Sequence, residues 1–147
     1  AAIDLGADHA IDYGRQDFVA EVLKITNGAG VAAVLDMVGG DYVPRNIDCL
    51  AEDGRHVSIA VQRGAKAEVN MMTIMRKRLT LTGSALRPRT VAFKSMVADE
   101  LSRSVWPFVI EGRLKPHVDA TFPLASASEA HALMESGKFV GKIVLTV

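Results

Sequence analysis

The pattern of apolar and polar positions is clearest in residues 31–40. An unbroken apolar run from Val31 to Leu35 ends in Asp36 and leads into the glycine pair Gly39-Gly40. A strand in which apolar and polar residues do not alternate has apolar side chains on both faces, and both faces must be buried. This is typical of a central strand in a parallel α/β sheet. Ligands of open α/β sheets bind beyond the carboxyl ends of the strands. The pattern therefore predicts a strand over 31–38 and a binding cleft beside the turn that follows it.

The first 90 residues alternate between apolar runs of strand length and segments with helical spacing. Asp17 and Asn70 stand where side chains cap helices, and Asn27-Gly28 stands where a helix ends. Such alternation requires parallel strands joined by right-handed crossovers. The predicted order is strand His9–Tyr13, a helix after Asp17, strand 31–38, a helix capped by Asp41 that runs through Ala51 and is closed by Gly54, strand Arg55–Val61, helix Met71–Arg78 and strand Leu79–Ser84.

The C-terminal part of the chain loses this regular alternation. A turn at Leu86–Arg89 precedes a long helix over about Val91 to Glu111, which Pro107 should kink because proline cannot donate the helical hydrogen bond. Ser126 and Glu129 have the spacing of a capping box, which predicts a helix start. The other predicted elements are a strand near His117–Ala120 and a strand over Lys142–Val147.

Composition narrows the class of protein. Lys and Arg number 17 and Asp and Glu also number 17, so no basic surface for nucleic acid or an anionic membrane is indicated. No apolar run approaches the roughly 18 residues of a membrane span. Cys49 has no partner for a disulfide, which favours a reducing, cytoplasmic setting. Ala1–Gly6 is typical of the last turn of a helix without its beginning, so we expect the chain to be a fragment.

Two glycine-rich segments resemble phosphate-binding motifs only superficially, and in the second the spacing is too short. Gly28–Ala33 fits G-x-G-x-x-A, but its glycines close a predicted helix and lead into a strand, whereas the dinucleotide fingerprint follows a strand and opens a helix. Gly137–Lys142 is followed by Ile143, where a phosphate loop needs Ser or Thr. Both segments are interpreted as turns.

Several other residues leave two interpretations open. Gly39-Gly40 is about equally consistent with a tight turn and with ligand contact. Asp36 could bind a ligand hydroxyl, but acceptance of hydrogen bonds from nearby backbone amides is favoured. Arg87-Pro88-Arg89 suits an anion or, again favoured, a solvated turn. No catalytic residue or metal site is predicted, because the four histidines have no partner at a recognisable spacing. Packing is favoured over cofactor contact for the methionines that follow helical spacing, Met71, Met72 and Met75.

The chain as a whole resembles the zinc-independent NADPH:quinone oxidoreductases, the zeta-crystallin-like branch of the medium-chain dehydrogenase/reductases. Each matching segment is weak alone, but the combination is specific and covers essentially the whole chain. The segments are Leu5–Tyr13, residues 34–40, Glu52–Arg55, Met75–Pro88, Thr121–Leu124, Glu129–His131 and Gly141–Leu145.

This resemblance implies a particular part of a larger fold. The family joins a GroES-like catalytic domain to a Rossmann domain with strand order 3-2-1-4-5-6. Residues 1–112 would be a partial Rossmann domain (strands 3 to 6), and residues 113–147 a segment that packs toward the catalytic domain. His9–Tyr13 would be strand 3 and Val31–Val38 strand 4, and strands 1 and 2, which belong between them, lie outside the sequence. We therefore expect residues 1–147 alone to be unstable or to pair differently.

The resemblance also places cofactor contacts on this chain. The cofactor would be NADP (as NADPH), with NAD left open, because the residues that choose between the two normally follow strand 2. Tyr13 would lie at the adenosine-phosphate end, and Val38 and Gly39 would border the adenosine half. The remaining implied contacts are Ile59, Ala60, Val61 and Gln62 beside the nicotinamide ribose, Ala85, Leu86 and Arg87 next to the nicotinamide, and Lys142 where the C-terminal segment closes the cleft.

The implied activity is hydride transfer from NAD(P)H to a quinone or an α,β-unsaturated carbonyl. The cofactor carries the chemistry, so no catalytic acid or base and no zinc are expected here. The strand Leu79–Ser84 would pair across a homodimer, for which an exposed apolar edge gives an independent reason. The alternatives are a non-catalytic nucleotide-binding or structural protein, as in lens crystallins, and another doubly wound domain such as a methyltransferase.

Overall fold

The computed structural model describes all residues from Ala1 to Val147, and they divide into two compact units. One unit is Gly6–Arg89 together with Ala2, and the other is Thr90–Val147 together with Ala1 and Ile3–Leu5. This division by contacts falls earlier in the chain than residue 112, where the resemblance places a domain boundary. The two units are described separately below.

The unit 6–89 is built from alternating helices and parallel strands, as predicted. Its sheet has the order β1-β2-β3, and both strand pairs are parallel. Consecutive strands are therefore neighbours that are connected through helices, which is the crossover arrangement that the alternation required. The elements are α1 (Phe18–Ile25), β1 (Val31–Asp36), α2 (Tyr42–Cys49), β2 (Leu50–Ser58), α3 (Met71–Lys77) and β3 (Thr80–Gly83).

Two of the three predicted helix caps in this unit are confirmed. The Asp17 carboxylate accepts a hydrogen bond from the Val19 amide, and the Asn70 side chain accepts from Met72 and Thr73. The prediction for Asp41 is wrong: its backbone is already helical and its side chain makes no capping bond.

The predicted end of α2 is also wrong. Leu50 has an extended backbone and is 1% exposed, so the chain leaves the helix at Cys49 and Gly54 lies within β2. The pairing of β1 with β2 explains the mistake. Val31 pairs with Leu50 and Ala33 pairs with Arg55, so the four residues between Leu50 and Arg55 form an irregularity in β2. A Cβ on Gly54 would approach Ala51 O to 2.8 Å, so Gly54 serves this local bend and not a helix end.

The predicted strand His9–Tyr13 does not form. No strand pairs with it, and the Asp12 carbonyl instead accepts local hydrogen bonds from the Arg15 and Gln16 amides. An extended segment without a neighbour gains no ladder hydrogen bonds, so local turn bonds satisfy the backbone here.

β1 is shorter and more exposed than the apolar run predicts. It ends at Asp36, two residues before the predicted end, and it pairs only with β2, so it is an edge strand and not a central one. Leu35 is 65% exposed, which shows that one face of this apolar strand has no cover within the described chain. The predicted burial on both faces is therefore not met.

The unit 90–147 contains two helices, then a parallel two-stranded sheet with a helix between its strands. The kink predicted at Pro107 is confirmed, because the helix breaks at Val105, whose φ of −114° and ψ of −40° separate the two segments. The capping box is not formed: the Ser126 hydroxyl contacts the Glu129 carboxylate at 3.3 Å and makes no bond to the backbone. The elements are α4 (Val91–Ser104), α5 (Trp106–Ile110), β4 (Val118–Pro123), α6 (Ala127–Ser136) and β5 (Lys142–Thr146).

The buried apolar core is small. Ile47, Cys49 and Leu50 are fully buried in the unit 6–89, and Ala130 is buried in the other unit. The packing role predicted for the α3 methionines is not found within this chain, because Met71, Met72 and Met75 are 59%, 64% and 67% exposed. None of the helices combines the length and apolarity that a bilayer span requires.

Candidate functional site

The carboxyl ends of β1, β2 and β3 lie along one edge of the sheet. Asp36 pairs with Ser58, and Ser58 pairs with Gly83, so all three strands end at the same level. Backbone bonds extend the pairing into the loops, with Ile59 N–H donating to Asp36 O at 2.7 Å and Ser84 N–H donating to Ser58 O at 3.0 Å. The loops that carry most of the implied cofactor contacts therefore leave the sheet side by side.

Two of these loops, residues 37–40 and 61–64, are bonded to each other. The Arg63 amide donates to Val38 O at 2.8 Å, and the Gly40 amide donates to Gly64 O at 2.9 Å. A Cβ on Gly39, which has a φ of +70°, would lie 2.7 Å from Gly64 O. Close packing of the two loops therefore explains why glycines stand here without any ligand, and the pair still borders the predicted cleft.

A buried polar group anchors the turn after β1. The Asp36 carboxylate accepts hydrogen bonds from the amides of Val38 at 2.7 Å and Gly39 at 3.2 Å, which confirms the favoured interpretation of Asp36. His56 Nε2 lies 3.3 Å from the same carboxylate, and both side chains are 2% exposed. The Asn46 amide lies 3.5 Å from His56 Nε2. Nε2 of His56 therefore lies between the Asp36 carboxylate and the Asn46 side-chain amide.

His56 and Asn46 were missed by sequence reasoning because they act through contacts distant in the chain. His56 is on β2 and Asn46 is on α2, whereas Asp36 ends β1. His56 gives no distinctive signal in the sequence, because it stands among other polar residues in the segment Arg55–Ser58. Without the fold, nothing in that segment points to Asp36.

An aromatic cluster stands beside the turn. Tyr42 begins α2, and its ring stacks on Phe18 at a centroid distance of 5.5 Å and meets Tyr13 edge-on at 6.3 Å. A pocket of about 360 Å³ opens here, with an adjoining one of about 340 Å³ that reaches Leu35 and Asp36. The larger pocket brings together three implied cofactor contacts among its lining residues, Tyr13, Met37, Val38, Tyr42, Gln62 and Arg63.

Two arginines lie over the ring of Tyr42. The guanidinium carbons of Arg45 and Arg63 are each 5.3 Å from the ring centroid, and each arginine pairs with an aspartate. Arg45 contacts Asp17 at 3.2 Å, and Arg63 contacts Asp41 at 3.3 Å. The pKa of Asp17 is below its ordinary value, mainly because the Val19 amide donates a hydrogen bond to its carboxylate and secondly because Arg45 is close.

The other implied contacts lie beyond β2 and β3 or belong to the unit 90–147. Ile59 is 44% exposed and Val61 is 51% exposed beyond β2, while the turn after β3 is closed by a bond from Arg89 N–H to Leu86 O at 3.1 Å. Lys142 begins β5 of the unit 90–147, and its amide donates to His117 O. Cofactor contact by any of these residues stays a prediction.

The opposite edge of the sheet contains a different pocket, of about 440 Å³. It is lined by Gly28 and Ala29 before β1, by Leu50 at the start of β2 and by Lys77 before β3. The G-x-G-x-x-A segment lies between the end of α1 and the interior of β1, so it closes the helix and leads into the strand, as interpreted from the sequence.

No group of three or more His, Cys, Asp or Glu side chains is placed to hold a metal ion.

Comparison with known proteins identifies the family. The sequence model described as zinc-binding dehydrogenase matches residues 5–145. The chain is 32% identical over 145 residues to a 2-haloacrylate reductase of Burkholderia and 30% identical over 148 residues to quinone oxidoreductase 1 of Escherichia coli. The chain belongs to the zinc-binding dehydrogenase family, within the medium-chain dehydrogenase/reductase superfamily.

Solved structures agree with this assignment and show its extent. A crystal structure of 2-haloacrylate reductase matches with a TM-score of 0.79 and 31% identity, and the Escherichia coli quinone oxidoreductase complexed with NADPH matches with a TM-score of 0.79 and 29% identity. Each match covers 99% of this chain and 45% of the other. Of the two curated relatives, the chain spans 42% and 45%.

Proposed function

We propose that residues 1–147 are the cofactor-binding part of an NAD(P)H-dependent oxidoreductase that transfers hydride to a quinone or an α,β-unsaturated carbonyl. The observation that carries the proposal is the pocket beyond the carboxyl ends of β1 and β2 in a sheet of three parallel strands, where open α/β sheets bind their ligands. The names of the relatives, a quinone oxidoreductase and a 2-haloacrylate reductase, support this class of acceptor.

We also propose a cytoplasmic setting and a domain boundary near residue 112.

The residues at this edge fit a dinucleotide. Tyr13 and Val38 give the pocket an aromatic and an apolar surface against which an adenosine can pack, and Arg63 supplies a positive charge at its rim. Gly39 allows the turn after β1 to pack closely against the loop 61–64, because a Cβ there would lie 2.7 Å from Gly64 O. We assign the adenosine half to Tyr13, Val38 and Gly39.

The nicotinamide half is assigned to the loops after β2 and β3. When bound, the nicotinamide would supply the hydride, and the residues of this chain would orient it and exclude water. No side chain here is given a catalytic role, and the proposed reaction needs no zinc. The residues proposed for this half are Ile59, Ala60, Val61, Gln62, Ala85, Leu86 and Arg87, and Lys142 is proposed as a separate cofactor contact.

The test measures binding and turnover separately in the complete gene product that carries residues 1–147. We expect NADPH to bind in a fluorescence titration and to be oxidised when 1,2-naphthoquinone is added. The variant Val38→Asp, which places a carboxylate in the pocket, should weaken binding, whereas Lys24→Gln on the exposed side of α1 should not. Binding without oxidation would favour the non-catalytic alternative, and the absence of binding would refute the proposed function.

We also propose a homodimer that pairs through β3. This strand pairs only with β2, so its other edge is open, and all four of its residues are exposed. Leu81, which is 39% exposed, gives that edge an apolar side chain. A lysine at an open edge disfavours strand pairing, so Leu81→Lys should convert a dimer into a monomer in light scattering after gel filtration. A monomeric wild-type protein would rule the dimer out.

A further inference from the structure

His56 lies on the buried side of the turn that follows β1. Its partner in the sheet is Val34, two residues before Asp36 in β1. Because side chains alternate between the faces of a sheet, Asp36 and His56 share a face, and Asn46 of α2 reaches the same imidazole. All three polar side chains are buried. His56 lines neither of the two pockets beside the turn, so its contacts are to the protein itself.

One end of the turn is held through the Asp36 carboxylate. Oδ1 accepts hydrogen bonds from the amides of Val38 and Gly39, and Oδ2 shares the Gly39 amide at 3.2 Å. The other close polar contact of Oδ2 is with His56 Nε2 at 3.3 Å. The torsion that rotates an aspartate carboxylate is soft, so this second contact fixes the plane in which the two amides are held.

The other end of the turn is held through α2. His56 Nε2 lies 3.5 Å from the side-chain amide of Asn46. Asn46 follows Tyr42 by four residues, so both lie on one face of the helix, and the Tyr42 ring lines both pockets. A single imidazole therefore connects the strand end that holds Val38 with the helix that holds Tyr42.

We propose that His56 is a positioning residue of the cofactor pocket, which holds Val38 and Tyr42 in place for the nucleotide without touching it. The inference rests on the proposed function, because the ligand is the one proposed for this pocket. If a pocket wall has its binding conformation only a tenth of the time, the apparent Kd rises about tenfold. Loss of the imidazole contact should therefore weaken binding although no ligand contact is removed.

The experiment uses two matched variants of His56 in the complete gene product. The terminal amide of glutamine reaches about as far as Nε2 and offers both donors and an acceptor, whereas that of asparagine is too short. We expect His56→Asn to raise the Kd for NADPH about tenfold in a fluorescence titration, and His56→Gln to keep it within about twofold of the wild type. His56→Leu, which is apolar, should behave as His56→Asn and replaces it if that variant does not fold.

A second measurement observes the turn without any ligand. We expect the amides of Val38 and Gly39 to exchange with deuterium about tenfold faster in His56→Asn, because their acceptor is less firmly held. Leu50→Ala is the control for stability, since it opens a cavity at the opposite edge of the sheet. It should change neither the Kd nor these two exchange rates.

The possible outcomes separate this inference from the proposed function. An unchanged Kd in His56→Asn would overturn the inference, and so would an equal rise in Leu50→Ala or in His56→Gln, since loss of stability alone would then explain the effect. If the wild type does not bind NADPH, the proposed function fails and amide exchange decides the role of His56. Faster exchange confined to His56→Asn would support its hold on the turn, and unchanged exchange would refute it.

Discussion

At the scale of single residues, Asp36 has the most consequential environment. It is 3% exposed and accepts bonds from two backbone amides while contacting His56. Replacing it by asparagine removes the charge and one of the two acceptor oxygens. We expect Asp36→Asn to lower the free energy of unfolding by about 1–3 kcal/mol, because buried donors lose their acceptor.

Asp41→Asn is the matched control, because it makes the same chemical change five residues further along the chain. Asp41 is exposed and makes no capping bond, so the variant should alter the free energy of unfolding by less than about 0.5 kcal/mol. Urea unfolding of the complete gene product would compare the two. Equal losses would show that the buried contacts of Asp36 contribute no more than an exposed ion pair.

The second prediction at this scale concerns Gly39. Its φ of +70° disfavours any side chain, and a Cβ would lie 2.7 Å from Gly64 O. Gly28 has a φ of +83° with nothing within 4 Å, so Gly28→Ala tests the backbone effect alone. We expect Gly28→Ala to cost about 1 kcal/mol of unfolding free energy, and Gly39→Ala to cost about 1–3 kcal/mol more through overpacking. Urea unfolding would measure both, and similar losses would mean that the loops simply move apart.

How far these residues could be predicted depends on the distance of their partners along the chain. The role of Asp36 was foreseeable, because its amide partners lie two and three residues ahead in a turn marked by glycines. The roles of His56 and Arg63 were not, since each depends on a strand end that approaches through the fold. The packing of Gly39 against Gly64 is hidden for the same reason.

At the scale of elements, the N-cap of α1 gives a prediction about pH. The Asp17 carboxylate has a pKa below its ordinary value, first because the Val19 amide donates to it and then because Arg45 is near. A lowered pKa in the folded state means that the cap stabilises α1 above the pH at which an unfolded aspartate titrates, about 3.9. This stabilisation is lost as the pH falls through the folded-state pKa.

NMR titration of the Asp17 carboxyl carbon would check this prediction. We expect a midpoint below that of an ordinary aspartate, and a partial rise in Arg45→Gln, because the backbone bond, which is the largest single cause, remains. A midpoint at the ordinary value would show that the cap is not formed in solution. A large rise in Arg45→Gln would assign the shift to the arginine.

Elements were predictable where a local feature marks their ends. Asp17 and Asn70 cap helices through amides two or three residues away, and Pro107 breaks a helix through its own missing N–H, so short sequence windows contain the cause. The boundary between α2 and β2 was misplaced because it depends on Leu50 entering the core beside β1, which no local pattern encodes. His9–Tyr13 has strand composition but no neighbouring strand.

At the scale of the whole molecule, the exposed surface is large for the mass. The chain exposes 10998 Å² for a mass of 15.8 kDa. Two separate folded domains, each with half of this mass, would together expose only about 8,800 Å². Many large apolar side chains contribute, among them Leu35 at 65%, Trp106 at 58% and Ile110 at 77% exposure. Such surfaces are normally covered, by other segments or by other chains.

This excess leads to the last prediction, for residues 1–147 produced alone. Few apolar side chains are buried, and both outer strands of the sheet in unit 6–89 have an open edge, so hydrophobic burial offsets little of the chain entropy lost on folding. We expect urea to unfold the isolated chain in a broad transition of low cooperativity, or the chain to associate through the open edges. Circular dichroism with sedimentation would distinguish these two results. A single sharp transition of a monomer would contradict the prediction, because it would require the exposed faces to be stable in water without cover.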